Sequence, residues 1–277
     1  IVADKLIQKL LNAQDKELSK KWLELGINRK LTKRPVMTLP YGATARSRRE
    51  YIKEYLCENY SMEYILKHFN ENSKAPLTLN SICYFLEKLL WEAIKECLPK
   101  TIECMDYLRQ IAKIITEKNL VIEWYTPLGL LVNQTNYSHT KTDIRTEIAG
   151  KLRTIKVRTN RQKLDVLKQE NGICPNFIHS LDSSCLMLYV LRCNELNINS
   201  FALVHDSYGV LAADVEKSNK ILREAFCEIY TSFDVLEKFI EDITFNLAPE
   251  DKEKLPKKLN YGNLDISCVL NSKYFFN

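Results

Sequence analysis

The chain has 277 residues, of which 45% are hydrophobic and 27% charged, and this composition predicts a folded protein with a sizeable core. The formal net charge of +5 permits a nucleic-acid partner without requiring one, and the lack of any run of about 20 apolar residues excludes a membrane-spanning helix. The nine cysteines include no Cys-x-x-Cys pair, which argues against a disulfide framework and a zinc site and favours a reducing compartment.

The first informative stretch follows two predicted helices in residues 1–25 and covers residues 29–42. Four side chains recur there at intervals of four residues, namely Arg29, Lys33, Met37 and Tyr41. On a helix they form one stripe, in which the cations suit a triphosphate and the apolar end suits a base or sugar. The alternative is a solvated basic helix end followed by a turn. Pro35 and Pro40 predict either a kink or a looser stripe.

The middle of the chain predicts helices at residues 48–60 and 80–118, with a break at Pro99, and then a short strand at residues 120–124 and a turn. Residues 142–158 predict a hairpin that turns at Ala149-Gly150. Ile155 and Val157 alternate there with Lys156 and Arg158, so one face is basic. We expect Arg153, Lys156 and Arg158 to contact phosphates or guanine edges. A plain charged edge that discourages aggregation is the alternative.

Residues 200–212 predict a second hairpin. The apolar run Phe201–Val204 is typical of a strand buried on both faces, and His205 and Asp206 interrupt it before Val210. A carboxylate held at a stiff hairpin tip suits a divalent metal. The alternative is a turn in which Asp206 only bonds its own backbone. Helices are predicted at residues 215–230 and 232–246, the second capped by Ser232, and residues 251–258 predict a polar connection.

Two of these motifs together resemble a known family. The stretch from Arg29 to Gly42, with Lys-Arg-Pro-Val-Met-Thr inside it, resembles the nucleotide-binding fingers helix of single-subunit, phage-type RNA polymerases. The hairpin Val204–Gly209 resembles the metal-binding palm motif of the same family, in the same order and at a similar distance. Residues 168–182 resemble the segment that leads into the palm, and residues 261–277 resemble the carboxy-terminal foot. The proline-containing fingers stretch is most similar to the branch encoded by mitochondrial linear plasmids.

The resemblance implies a mostly helical α+β fold, with fingers in residues 1–179, including the basic hairpin, and the second half of the palm in residues 180–277. It implies that Arg29 and Lys33 bind the triphosphate, that Lys33 also acts as an acid toward pyrophosphate, and that Arg34 belongs to the substrate-binding residues. Tyr41 is implied at the sugar, His179 near the ribose or nascent pair, and Asp206 on both catalytic Mg²⁺ ions. Alternatively, His179 anchors a helix that starts after Pro175, and Asp182 is a hydrogen-bond partner within a helix turn rather than a ligand.

The chain departs from the family after Gly42, where phage enzymes place an aromatic-Gly-aromatic group against the template. Three arginines follow here instead, Arg46, Arg48 and Arg49, and we expect them to contact phosphates in place of that stacking. A solvated helix start is the alternative.

Nucleotidyl transfer uses two metals about 4 Å apart, which need at least two carboxylates. The sequence supplies one credible ligand, Asp206, because no suitable strand precedes Arg29. We therefore expect the C-terminal part of a DNA-directed RNA polymerase that is inactive alone and works with a DNA template, nascent RNA, ribonucleoside triphosphates and a separate N-terminal polypeptide. The expected location is the mitochondrion or, alternatively, the cytoplasm of a phage-infected cell. A related DNA polymerase fragment is less favoured because Ser207 stands where those enzymes carry Glu, and a non-catalytic nucleic-acid-binding remnant is the third alternative.

Overall fold

The computed structural model describes residues 1–71, 73 and 75–275, so the last two residues of the predicted foot lie outside the described residues. The chain forms two compact units, Ile1–Asp106 and Tyr107–Asn277. The predicted mostly helical α+β class is confirmed. The division into fingers and palm at residue 179 stays a prediction, because it is a functional boundary and not the packing boundary. None of the helices seen in the described residues is both long and apolar enough to cross a bilayer.

The first unit is built from helices. They are α1 (Val2–Asn12), α2 (Lys16–Leu25), α3 (Arg29–Met37), α4 (Ala45–Asn59), α5 (Met62–Asn70) and α6 (Leu79–Cys97). Helices α2 to α6 are each preceded by an N-cap residue whose side chain accepts a backbone N–H of the first turn. The five caps, in chain order, are Asp15, Asn28, Thr44, Ser61 and Thr78. Helix α6 packs against α1 and α4, and α3 packs against α4, so α4 contacts both α3 and α6.

The core of the first unit follows from apolar residues at helical spacing. Leu6 and Leu10 of α1, and Leu86 and Leu90 of α6, are fully buried. Trp22 packs on Phe69 with ring centroids 5.1 Å apart, which attaches α5 to α2. The buried core of the unit supports α4 through α6, and α4 in turn contacts α3.

The second unit combines helices with short antiparallel hairpins. Following α7 (Pro99–Glu117), its elements are β1 (Ile122–Tyr125), β2 (Leu131–Gln134), β3 (Tyr137–Ile148), β4 (Lys151–Leu164), α8 (Val166–Glu195), β5 (Phe201–Val204), β6 (Ser207–Val210), α9 (Val215–Thr231), α10 (Val235–Thr244) and α11 (Pro249–Lys252). The strands pair as β1–β2, β3–β4 and β5–β6. Single 3₁₀ turns at Ala212–Asp214 and Ile266–Asn271 complete it.

The predicted cap of the last long helix is wrong. Helix α10 is capped by Asp234, whose carboxylate accepts the Glu237 N–H at 2.8 Å, whereas the Ser232 hydroxyl donates to Glu228 O at the end of α9. The predicted polar connection, residues 251–258, begins in the last two residues of α11, where the buried Asp251 carboxylate is 2.9 Å from Lys118 and 2.7 Å from Lys254. These cations lower the pKa of Asp251, through hydrogen bonds first and charge second.

The β3–β4 hairpin turns at Ala149-Gly150 as predicted, and both residues have positive φ, 53° and 74°. Its strands are longer than predicted. Ile144 lies opposite Ile155, and Arg153 shares the face of Ile155 because side chains alternate along a strand. Lys156 and Arg158 lie together on the other face, as the alternation with Ile155 and Val157 predicted, and Arg153 is separate from them.

The β5–β6 hairpin packs one face on α8. The ring of Tyr189, which is fully buried, lies 6.1 Å from Phe201 and 5.1 Å from Tyr208, both edge-to-face. Ala202 and Val204 are exposed, so the prediction that this strand is buried on both faces is wrong. The reason is that β5 and β6 form a two-stranded sheet whose one apolar face packs on a cluster from α8 and α9, while the face of Ala202 and Val204 is uncovered.

We expect Gly209→Ala to destabilise this hairpin. Gly209 lies opposite Ala202 in β5, and a Cβ at Gly209 would be 2.9 Å from the Ala202 carbonyl oxygen. Because that atom belongs to the backbone, the strand must shift, which costs about 1–3 kcal/mol of unfolding free energy. Urea unfolding measures the loss. Gly262→Ala is the control, since no atom lies within 4 Å of its added Cβ; equal stability of the two variants would contradict the strand geometry.

All nine cysteines are free thiols, and they differ in their access to solvent. Cys57 of α4 and Cys268 near the C-terminus are exposed. Burial raises the pKa of Cys83 to about 12 and that of Cys185 to about 11, so both stay protonated at neutral pH.

Candidate active site

Helix α3 carries four cations with two different environments. Its N-cap Asn28 accepts the Leu31 N–H at 3.1 Å and starts the helix at Arg29. Arg29 and Lys33 are exposed on one face, four residues apart, and neither forms an ion pair with another described residue. Lys30 lies 3.9 Å from Glu58, and Arg34 pairs with Glu54. The two side chains predicted to hold the triphosphate are thus the ones that α4 does not neutralise.

Arg34 differs from Arg29 and Lys33 by its partners on α4, and its place in the substrate-binding set stays a prediction. Its guanidinium pairs with Glu54 and lies over the Tyr51 ring, 4.8 Å from the centroid. Both partners are on α4, so these contacts attach α3 to α4. A triphosphate at this guanidinium has to compete with a carboxylate already bound.

Tyr41 lies in a turn and not on the helix. The α-helix runs through the buried Pro35 and ends at Met37, and the Thr38 hydroxyl donates to Arg34 O at 2.8 Å. The Tyr41 N–H then bonds Thr38 O at 3.2 Å, and Gly42 follows with φ 79°. The predicted four-residue stripe is therefore helical only as far as Met37, and Tyr41 is 46% exposed in the turn beyond it.

The three arginines of α4 are not equivalent. Arg46 is exposed, and the Arg49 Nε donates to Ala45 O at 3.3 Å. Arg48 is buried, with its Nε 2.9 Å and Nη2 2.7 Å from the Glu87 Oε1 of α6, and its Nη1 donates to Ala43 O. Its guanidinium also lies 4.1 Å from the Trp91 ring centroid. The prediction of a phosphate contact is therefore wrong for Arg48, because all its donors point into the protein.

We expect Arg48→Met to destabilise the first unit by about 3–5 kcal/mol, because it leaves the Glu87 carboxylate buried without its partner. The double variant Arg48→Met/Glu87→Leu loses less than Arg48→Met alone, since it removes both charges. Thermal unfolding of the three proteins measures this. A single variant that unfolds like the wild type but binds DNA more weakly would restore the phosphate role.

The tip of the β5–β6 hairpin presents a carboxylate in a strained turn. Val204 pairs with Ser207, so His205 and Asp206 are the two residues of the loop. His205 has φ 51°, in the left-handed region that favours glycine. Such strain is stored where surrounding structure fixes it, and functional sites are a common place for it. Both side chains are exposed, which leaves the Asp206 carboxylate open to a ligand.

Helix α8 brings two further predicted residues to the same unit. Phe177, Ser180 and Leu181 are buried, and the Trp124 Nε1 of β1 donates to Ser180 Oγ at 3.1 Å. This fixes the rotation of the helix, so that His179 and Asp182 face outward. Helix α8 begins at Val166 and continues through Pro175, so the alternative of a helix that starts after Pro175 is wrong.

Asp182 is electrostatically linked to this group. Desolvation raises its pKa first, the charge of His179 opposes that change, and the negative charge of Asp206 adds to it. The side chain nevertheless keeps an exposed edge. Asp182 also contributes to the raised pKa of Tyr230, about 12, whose largest cause is burial. The charges of His179 and Asp206 thus both act on Asp182.

A cavity of about 570 Å³ adjoins Asp206. The hairpin and the first turns of α9 line it with Asp206, Ser207, Tyr208, Gly209, Val210, Val215, Ser218, Asn219 and Leu222. Asn219 and Ser218 are polar members that the sequence did not predict. The Ser218 hydroxyl is bonded to Tyr189 OH at 2.6 Å, and the Asn219 Oδ1 accepts from Arg223 at 2.8 Å. No motif marks them, because they come from a helix that only folding places beside the hairpin.

The donor set suits a hard divalent cation in part. An exposed carboxylate at a stiff turn is a magnesium ligand of the expected type, and a second carboxylate, Asp182, is close enough to feel its charge. Among the described residues, no group of three or more His, Cys, Asp and Glu side chains is arranged to hold a metal. Asp206 therefore fits as one metal ligand, and the described residues do not place two further ligands of these types around it.

Comparison with known proteins agrees with both motifs. A sequence model of the family described as DNA-dependent RNA polymerase matches residues 1–260. The chain belongs to this family. It is 31% identical to the DNA-directed RNA polymerase of Enterobacteria phage K11 and 31% identical to T7 RNA polymerase of Escherichia phage T7, in each case over 94% of this chain and 30% of the relative. It is 34% identical to the chloroplastic/mitochondrial DNA-directed RNA polymerase 2 of Arabidopsis thaliana, over 91% of this chain and 23% of that protein.

These relatives are of the phage T7 type, as the resemblance predicted. The chain spans about a third or less of their length. Both predicted motifs lie inside the part of the chain that the polymerase family covers.

Proposed function

We propose that this chain is the C-terminal catalytic portion of a DNA-directed RNA polymerase, which transfers ribonucleotides to a growing RNA under the direction of a DNA template. The proposal is supported by the family match, which covers both motifs. Arg29 and Lys33 are exposed and form no ion pair with another described residue, and Asp206 is exposed at a hairpin tip. A cation pair suits the triphosphate, and the carboxylate suits the metal.

Each residue then has a distinct task. Arg29 and Lys33 bind the triphosphate, and Lys33 holds a proton that it donates to the departing pyrophosphate. Tyr41 contacts the sugar, and His179 lies near the ribose or the nascent pair. Asp206 holds Mg²⁺, which when bound supplies positive charge for the attacking and leaving oxygens of the two-metal reaction. Arg46 and Arg49, together with Arg153, Lys156 and Arg158 of the β3–β4 hairpin, contact nucleic acid.

The remaining partners follow from the metal requirement. Two metals need a further carboxylate, which we assign to a separate or preceding N-terminal polypeptide. The template is a mitochondrial or plasmid genome, in line with the organellar enzymes among the relatives and with the proline-containing fingers stretch. The phage relatives leave a phage-infected cell as the second location.

Template-dependent RNA synthesis tests the proposal. The purified chain alone is expected to make no RNA, whereas the chain supplied with the remainder of a phage-type polymerase as a second polypeptide is expected to incorporate NTPs. Synthesis by the chain alone would refute its dependence on that partner. A strong preference of the reconstituted enzyme for dNTPs would favour a DNA polymerase, and nucleic-acid binding with no NTP affinity would favour a non-catalytic remnant.

A further inference from the structure

A basic cavity lies between α4 and α6, within the first unit. Its volume is about 220 Å³, and its lining residues are Arg46, Arg49, Glu50, Lys53, Asn80 and Cys83. Three of the six are cations and one is a carboxylate. A phosphate group with several waters fits this space, since a water molecule takes about 30 Å³ of liquid.

The cations of this cavity are available for an anion. Arg46 forms no ion pair with another described residue, and the Arg49 Nε bonds only a backbone carbonyl of its own helix. Lys53 lies 3.9 Å from Glu50, and both side chains are about half exposed, so their attraction is worth at most about 1 kcal/mol. A phosphate can replace Glu50 at Lys53 at little cost.

The α6 side of the cavity adds positive charge. Asn80 lies in the first turn of this helix, where the helix dipole favours an anion and the side-chain amide can donate a hydrogen bond. Cys83 is buried and uncharged, so it does not repel an anion. The cavity therefore combines cationic side chains of α4 with the positive N-terminal end of α6.

Aromatic rings beside the cavity hold further cations. Lys88 Nζ lies 4.4 Å and Arg49 Cζ 5.7 Å from the ring centroid of Tyr84, which is 46% exposed. Trp91, one helix turn beyond Lys88, has the Arg48 guanidinium at 4.1 Å and Lys95 at 5.9 Å. Both rings hold cations and neither belongs to the lining of the cavity, so the lining itself offers no aromatic face for a stacked base.

We infer that this α4–α6 basic cavity binds a backbone phosphate of double-stranded DNA. Cations without a stacking platform suit a phosphate backbone, whereas sites for single strands add aromatic faces on which bases stack. The inference rests on the proposed function for its partner, the template duplex. It extends the nucleic-acid surface of α4 to Lys53, Asn80 and Lys88 and removes Arg48 from it.

The salt dependence of DNA binding tests the inference. The chain is titrated against a fluorescein-labelled duplex by anisotropy, at salt concentrations from about 50 to 200 mM. Arg46→Gln/Lys53→Gln is expected to bind more weakly at low salt and to lower the slope of log K against log salt by about 2, because each lost phosphate contact lowers it by about 0.9. The matched control is Lys20→Gln/Lys67→Gln, which removes two exposed charges from other helices of the same unit and should keep the slope.

Competitors distinguish the sources of phosphate. Unlabelled duplex is expected to displace the probe at lower nucleotide concentration than a single strand of the same sequence, and inorganic phosphate at the same concentration is expected not to displace it. An equal change of slope in both double variants, or stronger competition by the single strand or by free phosphate, would overturn the inference. Unchanged thermal unfolding of the variants shows that they fold. RNA synthesis by the reconstituted enzyme is scored separately, so that its failure, with the slope change retained, refutes the proposed function alone.

Discussion

Asp206→Asn abolishes RNA synthesis by the reconstituted polymerase and leaves DNA affinity nearly unchanged. The substitution keeps the shape of the side chain at the hairpin tip but removes the charge that we assign to Mg²⁺. Metal stabilisation of the reacting oxygens is worth several kcal/mol, so the rate should fall by about 1,000-fold or more. Single-turnover extension of a primed template measures the rate, and anisotropy with the same template measures the affinity.

Glu216→Gln is the control for this prediction, because it removes an exposed carboxylate from the first turn of α9, close in sequence to the hairpin. It should retain the wild-type rate. A readout without catalysis is available as well, since Mn²⁺ bound at Asp206 would broaden the NMR signals of the hairpin in the wild type but not in Asp206→Asn. A rate within tenfold of the wild type in Asp206→Asn would remove the metal role.

Lys33→Ala lowers kcat/KM for NTP by about 10- to 100-fold, because a hydrogen bond between charged groups contributes about 1.5–3 kcal/mol. Lys33 is exposed and has no carboxylate partner among the described residues, so the change should leave stability unaltered. Steady-state kinetics with varied NTP measure the effect. Template affinity should be constant across the same variants.

Lys30→Ala is the matched control on the same helix. It removes an equal charge from a lysine that faces Glu58 of α4, 3.9 Å away, and that we do not assign to the triphosphate. It should therefore change kcat/KM less than about threefold, which corresponds to about 0.6 kcal/mol. If Lys30→Ala and Lys33→Ala are equally impaired, the effect is one of net charge, and the assignment of Lys33 to the triphosphate fails.

Elements with a strong local signal could be predicted from the sequence. Apolar residues at helical spacing predicted α1, α6 and α7, and the dipeptide Ala149-Gly150 predicted the turn of the long hairpin. Helix α5 was missed because its buried face is only Ile65 and Phe69, too few for a periodic pattern. Residues whose environment depends on distant partners could not be placed in this way.

The arginines of α4 show why the site was only partly predictable. Three arginines within four residues are equivalent by composition, and which one turns inward is decided by Glu87, 39 residues away. Likewise, Arg34 and Lys33 are neighbours, but only Arg34 has a carboxylate of α4 within reach. The motifs selected the segments, and tertiary ion pairs divide the cations within them into structural and available ones.

The two exposed thiols allow the distance between two positions of the chain to be followed by energy transfer. Cys57 belongs to the first compact unit and Cys268 to the second, while the other seven cysteines are buried or half-buried. A maleimide donor and acceptor at these two positions form an energy-transfer pair in the unmodified chain. Its transfer efficiency, followed while NTP and template are added, would report in real time whether the distance between a position in α4 and one near the C-terminus changes when the proposed substrates bind.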